Sequence, residues 1–187
     1  MSFKSFLFFV SIFCFSTQSL ADAFIQGGLH FGGDTLATVD FVSLGDQKIE
    51  AGGLLSGSVG YEADINESLL AKLSAGIKFD SISASNGDVD FTRYPLTAML
   101  FMKGENLHFG LGLTRHIGVE LSVDGFSGAT TADFDDATGF VAQLDYLLNE
   151  RGYISLKFTS IDYELANSSI EVDGSSIGLL VGFRFGK

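Results

Sequence analysis

The sequence predicts an all-β fold, an eight-stranded antiparallel up-and-down transmembrane β-barrel. Three observations lead to this prediction. Apolar residues alternate with polar or small ones through most of the chain, and this period of two is typical of strands with two different faces. The connections between the alternating segments are by turns short and long. The mean hydropathy is +0.31, yet charges and glycines interrupt every apolar run beyond the N-terminus, so no later segment predicts a transmembrane helix.

The N-terminal segment, residues 1–21, is predicted to be a secretory signal peptide. Lys4 supplies a positive charge, residues 6–15 are an unbroken apolar run, and small residues allow cleavage after Ala21 or Ala23. The apolar run is too short to cross a bilayer, which takes about 20 residues. The protein is therefore expected to be exported.

The remaining residues, 22–187, are predicted to form one barrel domain. The single cysteine, Cys14, lies in the predicted signal, so the mature chain offers no thiol or disulfide, and no cofactor is predicted. The chain has 23 acidic and 11 basic residues, a net charge of −12. This balance argues against a nucleic-acid partner, which requires a basic surface.

Eight segments carry the alternation, and each reads as one strand of the barrel. Their apolar positions span residues 25–31, 49–61, 69–79, 96–102, 107–113, 140–148, 154–158 and 177–185. Pro95 removes a backbone donor beside the fourth segment and predicts a bulge there. Residues 162–164 break the alternation after the seventh, so the chain is expected to have left the bilayer at that point.

The connections alternate in length in the way that outer-membrane barrels show. Short turns are predicted at residues 63–68, 103–106 and 150–152, and longer loops at 33–48, 81–90, 115–136 and 160–175. In such barrels the turns face the periplasm and the loops face outside. The predicted location is the cell outer membrane, with both termini on the periplasmic rim.

The short turns also predict how neighbouring strands pair. A three-residue loop at 150–152 would place Gly152 in the left-handed position of a bulged hairpin. The four-residue turn at 103–106 fixes a second register. The predicted opposite residues are Leu148 with Ile154, Asp145 with Lys157, Met102 with Leu107, and Phe101 with His108.

The polar face is predicted to line the lumen. The rival fold is a soluble barrel of the lipocalin kind, in which the apolar face lines the cavity. The polar face, however, is crowded with glycine, which suits the narrow interior of an eight-stranded barrel and is not needed against water. These glycines are Gly28, Gly52, Gly60, Gly76, Gly110, Gly112, Gly178 and Gly182. The apolar face is therefore expected to meet lipid.

Charged residues of both signs fall on the inward face and are predicted to form a structural charge network in the lumen. They are Glu50, Glu62, Lys72, Lys78, Asp80, Arg93, Asp145, Lys157 and Arg184. Buried charges need partners, and we expect Asp145 to pair with Lys157 and Asp80 with Arg93. The alternative is a polar lumen that conducts small solutes, but eight strands leave an interior just wide enough for side chains.

The sequence offers only weak indications of a hydrolytic site and of a metal site. His116 lies near Ser122 and Asp124 in sequence, but Gly118 stands where a compact motif would place a serine, so no catalytic residue is predicted. His30 and His108 are expected to be inward-facing, hydrogen-bonded fillers. The acidic third loop contains Asp124, Asp133, Asp135 and Asp136, but its spacing lacks an EF-hand pattern, so no metal site is predicted.

The whole pattern, together with the last strand from Ile177 to Phe185, resembles the small outer-membrane barrels of the OmpA and OmpX type. The resemblance covers nearly all of residues 22–187. It implies recognition by the barrel-assembly machinery through the last strand, although in that family the strand usually ends on a terminal phenylalanine and here Gly186 and Lys187 follow Phe185. The other implied partners are outer-membrane lipids and lipopolysaccharide.

The sequence favours a non-enzymatic integral outer-membrane protein with a structural or surface-interaction role through its extracellular loops. One alternative is an outer-membrane hydrolase acting on lipid A or peptides at the loop end. The other is a narrow small-solute channel. No extracellular ligand can be named from the sequence.

Overall fold

The computed structural model of the chain describes residues 21–39, 47–84, 87–125 and 128–186. Apart from Ala21, the predicted signal peptide lies outside the described residues and stays a prediction. No helix in the described part of the chain is long and apolar enough to cross a membrane.

The described residues form thirteen strands. They are β1 (Asp22–Phe31), β2 (Thr35–Val39), β3 (Gln47–Glu50), β4 (Leu55–Asp64), β5 (Leu69–Ala84), β6 (Gly87–Lys103), β7 (Leu107–Gly125), β8 (Gly128–Phe134), β9 (Ala137–Leu147), β10 (Gly152–Ser160), β11 (Asp162–Glu164), β12 (Glu171–Asp173) and β13 (Ser176–Phe185).

Eight of these strands close into a barrel. Each pairs antiparallel with the next in the circular order β1, β4, β5, β6, β7, β9, β10, β13, and β13 returns to β1. Strand β8 extends the sheet beside β7, whereas β2–β3 and β11–β12 are separate small hairpins in the first and last loops. The predicted fold class is confirmed.

The apolar face of the barrel points outward. Along β13, buried and exposed residues alternate without exception, and the exposed ones include Leu179 and Val181, 58% and 62% exposed. The inward glycines provide the space into which large side chains fit. A Cβ at Gly110, Gly178 or Gly182 would collide with the ring of Phe101, His30 or Tyr153, respectively.

The predicted second strand, residues 49–61, is wrong as a single strand. The chain turns between β3 and β4, where Gly53 has a φ of +68° and its amide donates to the carbonyl of Glu50 at 2.9 Å. Ile49 and Ala51, expected to face lipid, are buried instead. The turn depends on glycine, since a Cβ at Gly53 would collide with the guanidinium of Arg93.

The two predicted registers at the short turns are wrong by two residues. Leu147 lies opposite Tyr153 and Met102 opposite Phe109. At the first of these turns the Asn149 side chain accepts hydrogen bonds from the amides of Arg151 and Gly152, which centres the loop one residue earlier than expected. Because the shift in pairing is even, the inward and outward faces keep their predicted assignment.

The predicted long loops are largely built from strand. The β5–β6 ladder continues to Ala84 and Gly87, and β7 continues to Gly125. The bulge expected near Pro95 is confirmed, because the β6–β7 register shifts between Thr92 and Tyr94. The chain at residues 162–164 has left the barrel sheet, since β11 pairs only with β12.

Apolar side chains fill the barrel mouth at the loop end. This loop-end plug consists of Ile49, Ala51, Ile82, Val89, Phe91, Val119, Ala137, Ile161 and Tyr163. Phe91 and Phe134 meet Tyr163 edge to face, with ring centroids 5.9 and 6.4 Å from its own. The mouth of the barrel is therefore closed by an apolar core that the extended barrel strands build together with residues of the first and last loops.

Candidate functional site: barrel lumen and loop end

The lower lumen, nearer the short turns, contains a chain of ion pairs. The Lys72 ammonium lies 2.7 Å from a carboxylate oxygen of Asp145 and 3.4 Å from one of Glu62. The other oxygen of Glu62 is 2.8 Å from Nε of Arg184. All four side chains are buried. Two acids and two bases thus neutralise one another across the barrel.

Further contacts hold this network in one geometry. Asp145 accepts hydrogen bonds from Ser155 Oγ at 2.6 Å and Gln143 Nε2 at 2.7 Å. The Lys72 ammonium also lies 4.7 Å from the ring centroid of Phe101 and 4.4 Å from that of Tyr153, within cation–π range. The network therefore fills this part of the lumen with interlocked side chains.

The two ion pairs expected from the sequence do not form. Lys157 lies opposite Gln143 because of the shifted turn, and Asp145 pairs with Lys72. Arg93 lies opposite Lys78, and it makes no ion pair with Asp80 in the described part of the chain. The shifted turn explains the first outcome, whereas Asp80 lies opposite Phe91, two residues from Arg93 along β6.

The upper lumen carries the remaining predicted charges. Lys78 Nζ donates to Ser176 Oγ at 2.8 Å, and the fully buried guanidinium of Arg93 lies 4.4 Å from the ring centroid of Phe91. Asp80 accepts a 3.2 Å hydrogen bond from the amide of Glu50. Glu50 itself belongs to the β2–β3 hairpin, not to a barrel strand, because the predicted second strand is split. The structural role of the nine charges stays a prediction.

The three histidines do not assemble a hydrolytic triad with the residues suggested by the sequence. His116 is buried, with Nδ1 2.6 Å from the Tyr163 hydroxyl. Ser122 lies six residues further along the same strand, about 20 Å away at the usual rise per residue. His30 is bonded to Ser56 at 2.8 Å, and His108 is buried. Burial raises the pKa of Tyr163 to about 12, so its hydroxyl stays protonated.

The loop-end surface is acidic. Asp135, Asp136, Asp162, Glu164 and Glu171 line one cleft of about 160 Å³. Asp135 and Asp136 belong to the acidic third loop noted in the sequence. The β11–β12 hairpin of the last loop brings the other three acids beside them. No group of three or more metal-binding side chains converges among the described residues. The cleft is thus an anionic surface without the geometry of a metal centre.

A concavity of about 890 Å³ lies mainly on the outer face of the wall. It is lined largely by apolar residues of the outward face, such as Val59, Leu73, Leu96 and Leu113, all of them exposed. On a lipid-facing surface, acyl chains would occupy such a depression.

Comparison with solved structures confirms the resemblance at the level of fold. The attachment invasion locus protein Ail of Yersinia pestis matches with 15% identity and a TM-score of 0.57, covering 90% of this chain and all of Ail. The Neisserial surface protein A, NspA, matches with 12% identity and a TM-score of 0.57, covering 88% of this chain and 97% of NspA. No family model and no curated protein matches the chain.

A second structure of Ail holds the heparin analogue sucrose octasulfate, and it matches with 14% identity and a TM-score of 0.58 over 88% of this chain. At these identities the likeness extends to the barrel fold alone. What the loop end of this chain binds must be argued from its own residues.

Proposed function

We propose that this protein is a non-enzymatic integral outer-membrane protein whose role is surface interaction through its loop end. The proposal rests on which charged groups are buried and which are exposed to solvent. The lumen is filled by ion pairs below and closed by the loop-end plug above, whereas the loop-end surface presents many charged groups of one sign. The outward apolar belt supports residence in the membrane, and the fold it shares with outer-membrane barrels supports the outer membrane in particular.

The acidity of the loop end is the observation that carries the proposal. Its exposed acids are Asp34, Asp88, Glu120, Asp124, Asp133, Asp135, Asp136, Asp162, Glu164, Glu171 and Asp173. Against them, the exposed bases of the described loop end are Lys48 and Arg115, and Arg115 is already paired with Asp136 at 3.0 Å. Most of the other basic residues lie in the lumen or at the short turns. A cationic partner fits this surface, because potentials of opposite sign favour association.

Because the loop-end surface is acidic, an anionic ligand like the heparin analogue in the Ail complex does not suit this protein. A sulfated ligand would meet repulsion here, since like charges in close juxtaposition cost several kcal/mol. We therefore propose a polycationic ligand, such as a basic polypeptide segment. In the alternative, divalent ions would bridge these acids to lipopolysaccharide phosphates. Binding would then depend on the concentration of free metal ions.

The membrane proposal predicts how the protein fractionates. Because the outward face is apolar along every barrel strand, the protein should sediment with outer membranes and remain there after carbonate or urea extraction. Immunoblotting of sucrose-gradient fractions measures this. Recovery as a soluble periplasmic protein would contradict the proposal.

The surface proposal predicts selective binding of poly-L-lysine. The protein in nanodiscs of zwitterionic phospholipid should bind the probe, more weakly as salt rises because exposed charges are screened. Neutralising Asp135, Asp162, Glu164 and Glu171 to their amides should weaken binding roughly tenfold, about 1.4 kcal/mol. Interferometry with immobilised nanodiscs gives the affinities.

A control variant, with one charge fewer removed, neutralises three exposed acids at the short turns, Glu67, Glu105 and Glu150, to glutamine. It should retain most of the affinity. Equal loss in both variants would show that only net charge matters and would overturn the loop-end surface as the binding site. Binding abolished by a chelator would favour metal-bridged lipopolysaccharide contact instead.

A further inference from the structure

The upper lumen contains a cluster of cations without matching anions. Lys78 on β5 faces Arg93 on β6, and Lys157 of β10 lines the same cavity as Lys78. None of the three takes part in an ion pair within the described ranges. Leaving a buried charge uncompensated is strongly destabilising. The three cations therefore lack a compensating ion-pair partner at this level of the described barrel.

A small cavity lies among these groups. Its volume is about 20 Å³, enough for one species the size of a water molecule. Lys78, Lys157, His30 and His116 line it together with hydroxyl residues such as Ser56 and Thr159. The described lining residues include no aspartate or glutamate. Cationic and hydroxyl donors thus dominate the polar lining of this cavity.

Two buried side chains at this level have nitrogen atoms without a hydrogen-bond partner among the described residues. His30 is 3% exposed and bonded through Nε2 to Ser56, but its Nδ1 has no hydrogen-bond partner among the described residues. The guanidinium nitrogens of Arg93, which does not line the cavity itself, lack an acceptor of strict geometry in the described chain, although the Tyr163 hydroxyl lies within hydrogen-bonding reach. In the tautomer that carries its proton on Nδ1, His30 points an unpaired buried donor at the cavity, and such a donor indicates an unfilled acceptor position.

The neighbouring carboxylates do not fill that position. Asp80, above the cavity, acts on Arg93 but accepts the amide of Glu50. Asp145, below it, acts on Lys157 but is committed to Lys72, Gln143 and Ser155. The three cations at this level therefore exceed the negative charge available to them.

We propose that this cavity is a binding site for one small monovalent anion of the halide class, with chloride as the natural occupant. The cationic lining disfavours a metal ion. The small volume disfavours polyatomic anions such as phosphate, sulfate and carboxylates. A halide is small and accepts hydrogen bonds from ammonium, imidazole and hydroxyl groups alike, so it satisfies the lining and offsets the charge. The ion enters during folding, because the loop-end plug closes the mouth.

Refolding in matched salts tests the site. The protein refolded into detergent with sodium chloride or bromide should unfold at higher urea concentration than protein refolded with sodium gluconate at the same ionic strength. The gain should rise with the logarithm of halide concentration above the dissociation constant, as for a ligand that binds only the folded state. Lys78→Met should abolish the halide dependence. Lys103→Met, at a short turn where Lys103 pairs with Asp64 at 2.9 Å, should leave it unchanged.

Crystals of the unaltered protein grown in bromide provide a measurement that does not depend on the variants. Anomalous scattering should show one peak inside the barrel between Lys78, Lys157 and His30. Absence of that peak, equal stability in gluconate and halide, or a halide effect retained in full by Lys78→Met would each overturn the site.

Discussion

Asp145→Leu is expected to lower the free energy of unfolding by about 3 kcal/mol. Breaking a buried ion pair by removing one partner typically costs about 3–5 kcal/mol. The loss should fall at the lower end because Glu62 remains 3.4 Å from the Lys72 ammonium. Ser155 and Gln143 also lose their acceptor. Urea unfolding in detergent, read as the shift of the midpoint at constant slope, measures the change.

The double variant separates pairing from simple loss of contacts. Lys72→Met alone should cost a similar amount, because it leaves the Asp145 carboxylate buried without its cation. Lys72→Met with Asp145→Leu should recover about 2 kcal/mol or more, since apolar replacement of a buried pair is often close to neutral. The introduced methionine would pack against Phe101 and Tyr153, which already enclose the Lys72 side chain.

The matched control is the pair that the sequence suggested. Lys157→Met combined with Asp145→Leu should show much weaker coupling, because Lys157 lies opposite Gln143. Coupling energies within about 0.5 kcal/mol of zero indicate independent sites. If Asp145 coupled more strongly to Lys157 than to Lys72, the register of the β9–β10 hairpin would be wrong.

The turn positions show why the fold could be predicted while its pairings could not. The period of two assigns each residue to a face, and an even register shift leaves that assignment intact. Which residues centre a turn depends on local hydrogen bonds, such as those that the Asn149 side chain accepts. Ion-pair partners across the barrel, Lys72 with Asp145, lie on strands that never pair directly, so no turn argument reaches them.

The loop-end plug was missed although the sequence carries a signal for it. Along β5, apolar residues occupy odd positions as far as Phe79 and then move to an even one at Ile82. The strand itself continues without a break, so Phe79 faces outward and Ile82 inward. Such a change of phase marks where the outer face of the strand stops being apolar and the inner face becomes apolar. The sequence carries no comparable signal for the acidic cleft. Its acids come from two distant parts of the chain, and only the fold of the last loop brings them together.

Gly28→Ala is expected to have one of the largest effects among single methyl additions in the barrel. A Cβ at Gly28 would collide with the backbone oxygen of Leu179 and lie 2.7 Å from Cα of Leu180, both in the neighbouring strand. Backbone atoms in a closed sheet have no room to move away. Overpacking typically costs about 1–3 kcal/mol and sometimes more, so we expect a loss of about 3 kcal/mol or failure to fold.

Gly57→Ala is the matched control, because Gly57 lies on the adjoining strand, opposite Gly27, and a Cβ there would meet no atom within 4 Å. Both substitutions restrict the unfolded chain equally, so their difference isolates the steric effect of the interior. Gly57→Ala should change the free energy of unfolding by less than about 0.5 kcal/mol, as surface substitutions usually do. The heat-dependent gel shift scores folding, and urea titration gives the stability of whatever folds. Equal losses at the two positions would mean that glycine flexibility, not the narrow lumen, explains the glycines of the inward face.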